Sequence, residues 1–256
     1  MTAITNIHEV YPGARRATVP LGLRVNGLVV ANGLNGCDPV SGEPLGDLEN
    51  QVRATFSKMR DLVEGAGGTL DNVARAVAYV TKAEDREAVN GPLWQEFFPN
   101  ADDRPAYKVL LADLPPGQLL RLDVMAVLGA TRKRVDIPNV SAFDPTVVIG
   151  DYVITSRCHG NDKNNEGQLV TGGVPAEARQ TFKNLRELVS IAGGEPSDIV
   201  QINTYGRDEA YIPEAREAFD EIFADLEVKP ELHTLVNVIG QRMQVAADMV
   251  AVKASK

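Results

Sequence analysis

The chain has 256 residues, 44% of them apolar and 24% charged, a globular balance that excludes disorder and fibrous repeats. Its 35 acidic residues outnumber 26 basic ones for a net charge of −9, and aromatics make up only 5%, which argues against a phosphate-binding surface or a base-stacking platform. Two cysteines, Cys37 and Cys158, cannot build a disulfide scaffold or a four-sulfur zinc site.

In chain order, Leu28–Ala31 reads as an extended segment. A helix follows, with Val52, Phe56, Met59 and Val63 on one face, and Gly67-Gly68 stops it. A strand is expected over 76–81, a second helix over 83–98 with Val89, Leu93 and Phe97 inward, and strands over 108–111 and 119–127. Gly129–Asn139 replaces the apolar run with Lys, Arg and Pro and marks a seam. Beyond it the plan repeats: a strand at 152–155, a helix with Ala178, Phe182, Leu185 and Val189 inward, and Gly193-Gly194. A strand over 200–205, a helix over 209–225 and strands over 233–238 and 243–252 complete it.

The similarity is one of sequence as well as plan. Shifted by 126 residues, 51–75 falls on 177–201 without a gap, with Arg53/Arg179, Thr55/Thr181, Phe56/Phe182, Arg60/Arg186, Leu62/Leu188, Val63/Val189 and Ala66-Gly67-Gly68/Ala192-Gly193-Gly194 identical. The same shift pairs Tyr79 with Tyr205 and Phe97 with Phe223. The period is that of a whole domain, so the chain is a duplication, expected as domains 1–130 and 136–256. Each half is expected to be an α+β layer, a mixed sheet with two helices on one face. The other face then needs a cover, which predicts association with further copies.

No run approaches the ~18 apolar residues that span a bilayer, and no basic-then-apolar leader opens the chain. The expectation is a soluble, cytoplasmic protein with a small-molecule partner, no nucleic acid or membrane partner, no metal and no cofactor. Arg15-Arg16 and Arg132-Lys133-Arg134 read as solvated loop charges. Trp94 and Phe97, three apart, read as core or interface rather than a ligand box.

The stretch 104–127, RPAYKVLLADLPPGQLLRLDVMAV, resembles the C-terminal signature of the Rid superfamily, the reactive intermediate deaminases also called RidA/YjgF proteins. Segments 28–52 and 72–99 fit the same family in order, and 151–156, 192–209 and 247–252 extend it to the second half. The resemblance implies tandem Rid-like (chorismate mutase-like) domains, a trimer-like ring and ligand pockets in clefts between domains. It also implies cofactor-free hydrolysis of enamines and imines such as 2-aminoacrylate, with release of ammonia. Such chemistry needs a cation to hold the substrate carboxylate, an acid to orient water or move protons, and backbone N–H groups to steady developing charge.

Carried over residue by residue, the family acid falls on Asp123 and Asp248, where the deaminases usually have Glu. The carboxylate-binding Arg has no counterpart: Arg104-Pro105-Ala106 leads to Tyr107-Lys108, and Lys229-Pro230-Glu231 to Leu232-His233. The family Ser-Gly becomes Asn32-Gly33 and Ser156-Arg157, and its preceding aromatic becomes Val19 and Phe143. Three readings follow. A composite site could use Lys108 or Arg157 as cation, with Asp123, Asp248 and His233 catalytic and Asn32, Gly33, Tyr107, Phe143 and Ser156 binding substrate. The pocket could instead serve other hydrolytic or C–N chemistry on a ring-cleavage or biosynthetic intermediate. Or the chain could bind a small ligand without catalysis. Covalent catalysis by Cys158 beside His159 is disfavoured, because neighbours on a strand point to opposite faces, and Cys37 reads as incidental.

Overall fold

The computed structural model describes residues 7–11, 19–138, 140, 146–237, 239 and 242–254. The chain divides into two compact units, Met1–Arg132 and Lys133–Lys256.

In the first unit the strands are β1 (Ile7–Val10), β2 (Gly22–Val25), β3 (Leu28–Asn35), β4 (Val73–Val80), β5 (Ala106–Leu111) and β6 (Leu120–Val127). They form one mixed sheet in the order β1-β2-β3-β6-β4-β5. Only β4 and β5 run parallel. Helices α1 (Leu48–Gly65), α2 (Asp85–Asn90) and α3 (Pro92–Phe97) lie between the strands in sequence. Asp47 caps α1 through a bond from the Asn50 N–H, and Gly67, at φ +90°, turns the chain away at the other end. Val52, Phe56, Met59 and Val63 are all fully buried, about 1.5–3 kcal/mol each of transfer free energy. They pack with alternate strand residues, among them Val29, Ala76, Ala78, Val109, Leu122 and Val124.

The second unit repeats the topology: β7 (Lys133–Val135), β8 (Thr146–Ile149), β9 (Tyr152–Thr155), β12 (Ile199–Gly206), β13 (Glu231–Val236) and β14 (Val245–Val252), ordered β13-β12-β14-β9-β8-β7 with β12 and β13 parallel. Its helices are α4 (Gly173–Ile191) and α5 (Ile212–Ile222), and a small hairpin of β10 (Asn161–Asp162) and β11 (Gln168–Leu169) precedes α4. Ala178, Phe182, Leu185 and Val189 are fully buried, as the helical stripe predicts.

Two details differ from the sequence reading. The helix expected over 83–98 is two short helices, broken at Gly91-Pro92, because proline has no N–H to continue the first one. Arg132 is not a solvated loop charge. Its side chain is 2% exposed, donates to Leu70 O, Val73 O and Asp103, and lies over the Phe98 ring. Trp94 joins the core, stacked on Tyr107 at 3.8 Å between centroids. Among the described residues no helix is long and apolar enough to cross a membrane.

Candidate active site

Period-2 alternation along β6 turns Leu120, Leu122, Val124 and Ala126 toward the helices and leaves Arg121, Asp123 and Met125 on the open face. Opposite Asp123 the β3–β6 register slips: Ala31 faces Val124 but Leu34 faces Leu122, so Asn32 and Gly33 together oppose one residue. This is a β-bulge. Gly33 sits at φ +91°, a conformation that costs other residues more, and its N–H donates to Asp123 Oδ1 at 2.8 Å. The Arg121 guanidinium reaches the same oxygen at 3.4 Å. From β4, the Tyr79 phenol lies near enough to Asp123 to feel its charge. Burial first, and then the Asp123 charge, push the Tyr79 phenol up to about 12, so it remains a donor across the physiological range.

The second unit repeats the arrangement. Ile154 faces Val250 and Cys158 faces Ala247, so Thr155, Ser156 and Arg157 lie against only Asp248 and Met249. Asp248 is fully buried. It accepts from Tyr205 Oη at 2.6 Å and from Asn203 Nδ2 at 2.9 Å. Two of its partners are therefore neutral donors on the neighbouring strand, which an apolar sequence neighbourhood does not reveal.

The sheet order sets each acid in a cross-strand row. Val77 on β4 faces both Asp123 on β6 and Lys108 on β5. Asn203 on β12 faces both Asp248 on β14 and His233 on β13. Acid and basic residue are thus two strand spacings apart, roughly 10 Å, on one face of each sheet. In the second unit the gap is bridged: Gln201 Nε2 donates to Asn203 Oδ1 at 3.2 Å and meets His233 Nδ1 at 3.2 Å. An amide donor at Nδ1 leaves the neutral imidazole's hydrogen on Nε2, 3.7 Å from Glu231. The His233 side chain is half exposed, whereas Lys108 is buried.

Not every expected residue joins these rows. Tyr107 is a core residue: it points to the opposite side of β5 from Lys108, stacks on Trp94 and donates to Val89 O. Phe143 lies outside the described residues. Ser156 is buried and Arg157 half-buried on the bulge segment opposite Asp248. Cys158 is buried, and burial pushes its thiol well above the usual range. His159 is also buried, and burial first, then the Arg157 charge, lower it to about 4. No nucleophile–base pair results. Among the described residues no group of three or more His, Cys, Asp or Glu is placed to hold a metal.

On the first unit, a cleft of about 340 Å³ opens beside the bulge, lined by Val19, Asn32, Gly33, Asp38, Lys58 and Gln118 among others. Lys58 is absent from the sequence-derived candidates. The one signal for it is the ungapped repeat, which sets Lys58 against Asn184.

The endoribonuclease L-PSP family model matches residues 11–128 and again 135–253. A RutC family protein of Aquifex aeolicus is 25% identical over 118 residues, which are 44% of this chain and 94% of that protein. A 2-iminobutanoate/2-iminopropanoate deaminase of Dermatophagoides farinae is 31% identical over 85 residues, 33% of this chain and 65% of the mite protein. Among solved structures, RidA from a Psychrobacter species is 22% identical with a TM-score of 0.41, matching 48% of this chain and 98% of its own. A Rid-family protein of Yersinia pestis gives 22%, 0.42, 48% and 100%. With two matches that together span most of its length, the chain belongs to the endoribonuclease L-PSP (RidA/YjgF) family and carries the family's α+β domain twice.

Proposed function

We propose that this protein is a cofactor-free hydrolase of small imines or enamines that bear a carboxylate. The observation that carries the reading is the repeated acid: Asp123 and Asp248 occupy the same place in both sheets, each beside a tyrosine of the neighbouring strand and each in a row with a basic residue. The names of two relatives, both 2-iminobutanoate/2-iminopropanoate deaminases, support the reaction class. In this reaction water adds across the C=N bond, the carbinolamine collapses, and a 2-oxo acid and ammonia leave; an enamine first takes a proton at carbon. Asp123 holds the attacking water and takes its proton, and the Gly33 N–H fixes the carboxylate's position.

The two acids divide the work. Asp123 keeps a side chain 20% exposed, whereas Asp248 has no exposure and both its oxygens are engaged by Tyr205 and Asn203. Asp123 is therefore assigned the chemistry, and Asp248 the ordering of the second sheet. Assembly of copies through the open sheet faces belongs to the same proposal, and light scattering at several concentrations tests it.

The direct test is ammonia release from 2-aminoacrylate generated in the assay. Asp123→Asn is expected to lower turnover about 100-fold or more while leaving the fold intact by circular dichroism. Equal rates for Asp123→Asn and the parent protein would overturn the assignment, and no release by the parent protein would overturn the reaction class.

A further inference from the structure

The most informative asymmetry between the halves lies at one position of the first long helix. In the second unit Asn184 on α4 donates one N–H to His159 O and the other to Asn161 O, both at 2.8 Å. In the first unit Lys58 on α1 does the same for the matching carbonyls, Asn35 O at 3.0 Å and Cys37 O at 2.7 Å. An amide thus suffices to tie the post-strand loop to the helix. The lysine adds two things that this job does not use: a third N–H and a positive charge.

The third N–H is only loosely engaged, 3.4 Å from Asn35 Oδ1, and that oxygen already accepts from the Cys37 N–H at 3.2 Å. A ligand oxygen can take it without leaving Asn35 unsatisfied. The charge is also half-buried, so an anion there meets a partly desolvated partner. Burial lowers the Lys58 ammonium from its ordinary range, while Cys37 and then Asp38 act the other way. Asp38 is the acid lining the cleft, and it is drawn into its own turn by the N–H groups of Val40 and Ser41. The remaining polar lining, Asn32, Asn35 and Gln118, is neutral. At about 340 Å³ the cleft is near the lower bound for small-molecule sites.

We infer that the cleft beside the β3 bulge binds a small monocarboxylate, with Lys58 Nζ as the cation that holds the carboxylate. The identity of the acid as a 2-imino or 2-oxo acid rests on the hydrolase reading; the anion site itself does not.

Isothermal titration with 2-oxobutanoate, and with its neutral carboxamide, tests the inference. The parent protein is expected to bind the acid saturably and the amide at least 10-fold more weakly. Lys58→Asn, which restores the residue of the second half, is expected to lose at least 10-fold in acid affinity with an unchanged melting temperature. Lys58→Gln serves as the neutral variant if Lys58→Asn does not fold. Protection of Lys58 from acylation by 2-oxobutanoate, mapped by mass spectrometry, needs no variant. Undiminished acid binding by the neutral variants, equal binding of the amide, or no protection would each overturn the inference. Ammonia release is scored separately, so loss of the hydrolase reading and loss of the anion site give different results.

Discussion

Tyr205 donates to Asp248 at 2.6 Å across neighbouring strands, and Tyr79 occupies the corresponding diagonal position to Asp123. Each tyrosine lies two residues beyond the one directly opposite its acid: Val77 faces Asp123 and Asn203 faces Asp248. A phenol reaches diagonally where a shorter side chain cannot. In the second unit the donor serves a carboxyl group with no exposure, so leaving that oxygen unsatisfied costs about 1–3 kcal/mol. Tyr205→Phe is expected to destabilise the protein by about that amount, read as a lower urea midpoint with unchanged slope.

Tyr79 carries a pH signature. Its folded-state phenol lies near 12 against an ordinary 10, through burial and then the nearby Asp123 charge. A raised folded value means that the contribution is fully present below about pH 10 and is lost as pH rises through about 12. The stability difference between the parent protein and Tyr79→Phe is therefore expected to be constant from pH 7 to 9 and to shrink toward pH 12. Spectrophotometric titration should also lose one late phenolate step in the variant. A difference independent of alkaline pH would show that the hydroxyl is not coupled to Asp123.

The sequence makes the helices and the duplication readable because a 3.6-residue stripe and an ungapped repeat survive divergence. The strands β1, β2, β7 and β8 have four residues or fewer, too short for an alternation to show. The site is legible in its acids and not in its partners. Tyr79 and Tyr205 stand out as a repeated pair, yet their place beside the acids depends on β4 and β12 lying between the other two strands, and the distance along the chain carries no register. Tyr107 and Lys108 are adjacent in sequence and point to opposite faces, so only one of them can share the open face with Asp123. Lys58 against Asn184 reads as ordinary drift until the shared carbonyl partners are known.

Gly33 is the one backbone position on which the first site depends. A Cβ there would meet nothing closer than Arg121 Nε at 3.7 Å, so space is not the obstacle. The obstacle is φ +91°, which costs an alanine about 1–2 kcal/mol and is relieved by rotating the N–H away from Asp123. Gly33→Ala is expected to lower turnover at least 10-fold with a modest fall in melting temperature, and hydrogen exchange at residue 33 should accelerate. Full turnover in this variant would remove the bulge from the mechanism.

The thiols are expected to be silent. Cys37 is 5% exposed and Cys158 1%, and the Cys158 thiol is held protonated by burial, the opposite of what a nucleophile requires. Iodoacetamide should label both only under denaturing conditions, and Cys158→Ala should keep turnover within about twofold. Inactivation that tracks labelling of Cys158 in the folded protein would reopen a covalent route.

Gln51 and Glu177 occupy matching buried positions on the two long helices and serve the same end of the sheet. Gln51 accepts from the Leu119 N–H and donates to Gly46 O and Gly117 O. Glu177 accepts from the Gln244 and Val245 N–H groups at 2.7 and 3.0 Å. Burial raises the Glu177 carboxyl above its ordinary value, against the pull of those two N–H groups and of the Arg207 charge. Because the folded value is the higher one, protonation favours the folded state: the contribution is fully present below about pH 4.5 and is lost as pH rises through the folded value. An amide keeps the acceptor oxygen and removes the ionisation, as Gln51 already does. Glu177→Gln is therefore expected to gain on the parent protein in melting temperature as pH is raised from 4.5 to 7, while the Asp123-dependent turnover stays unchanged. A constant difference over that range would mean that the carboxylate is as well solvated folded as unfolded. A loss that grows with pH would mean that the two N–H bonds outweigh its burial.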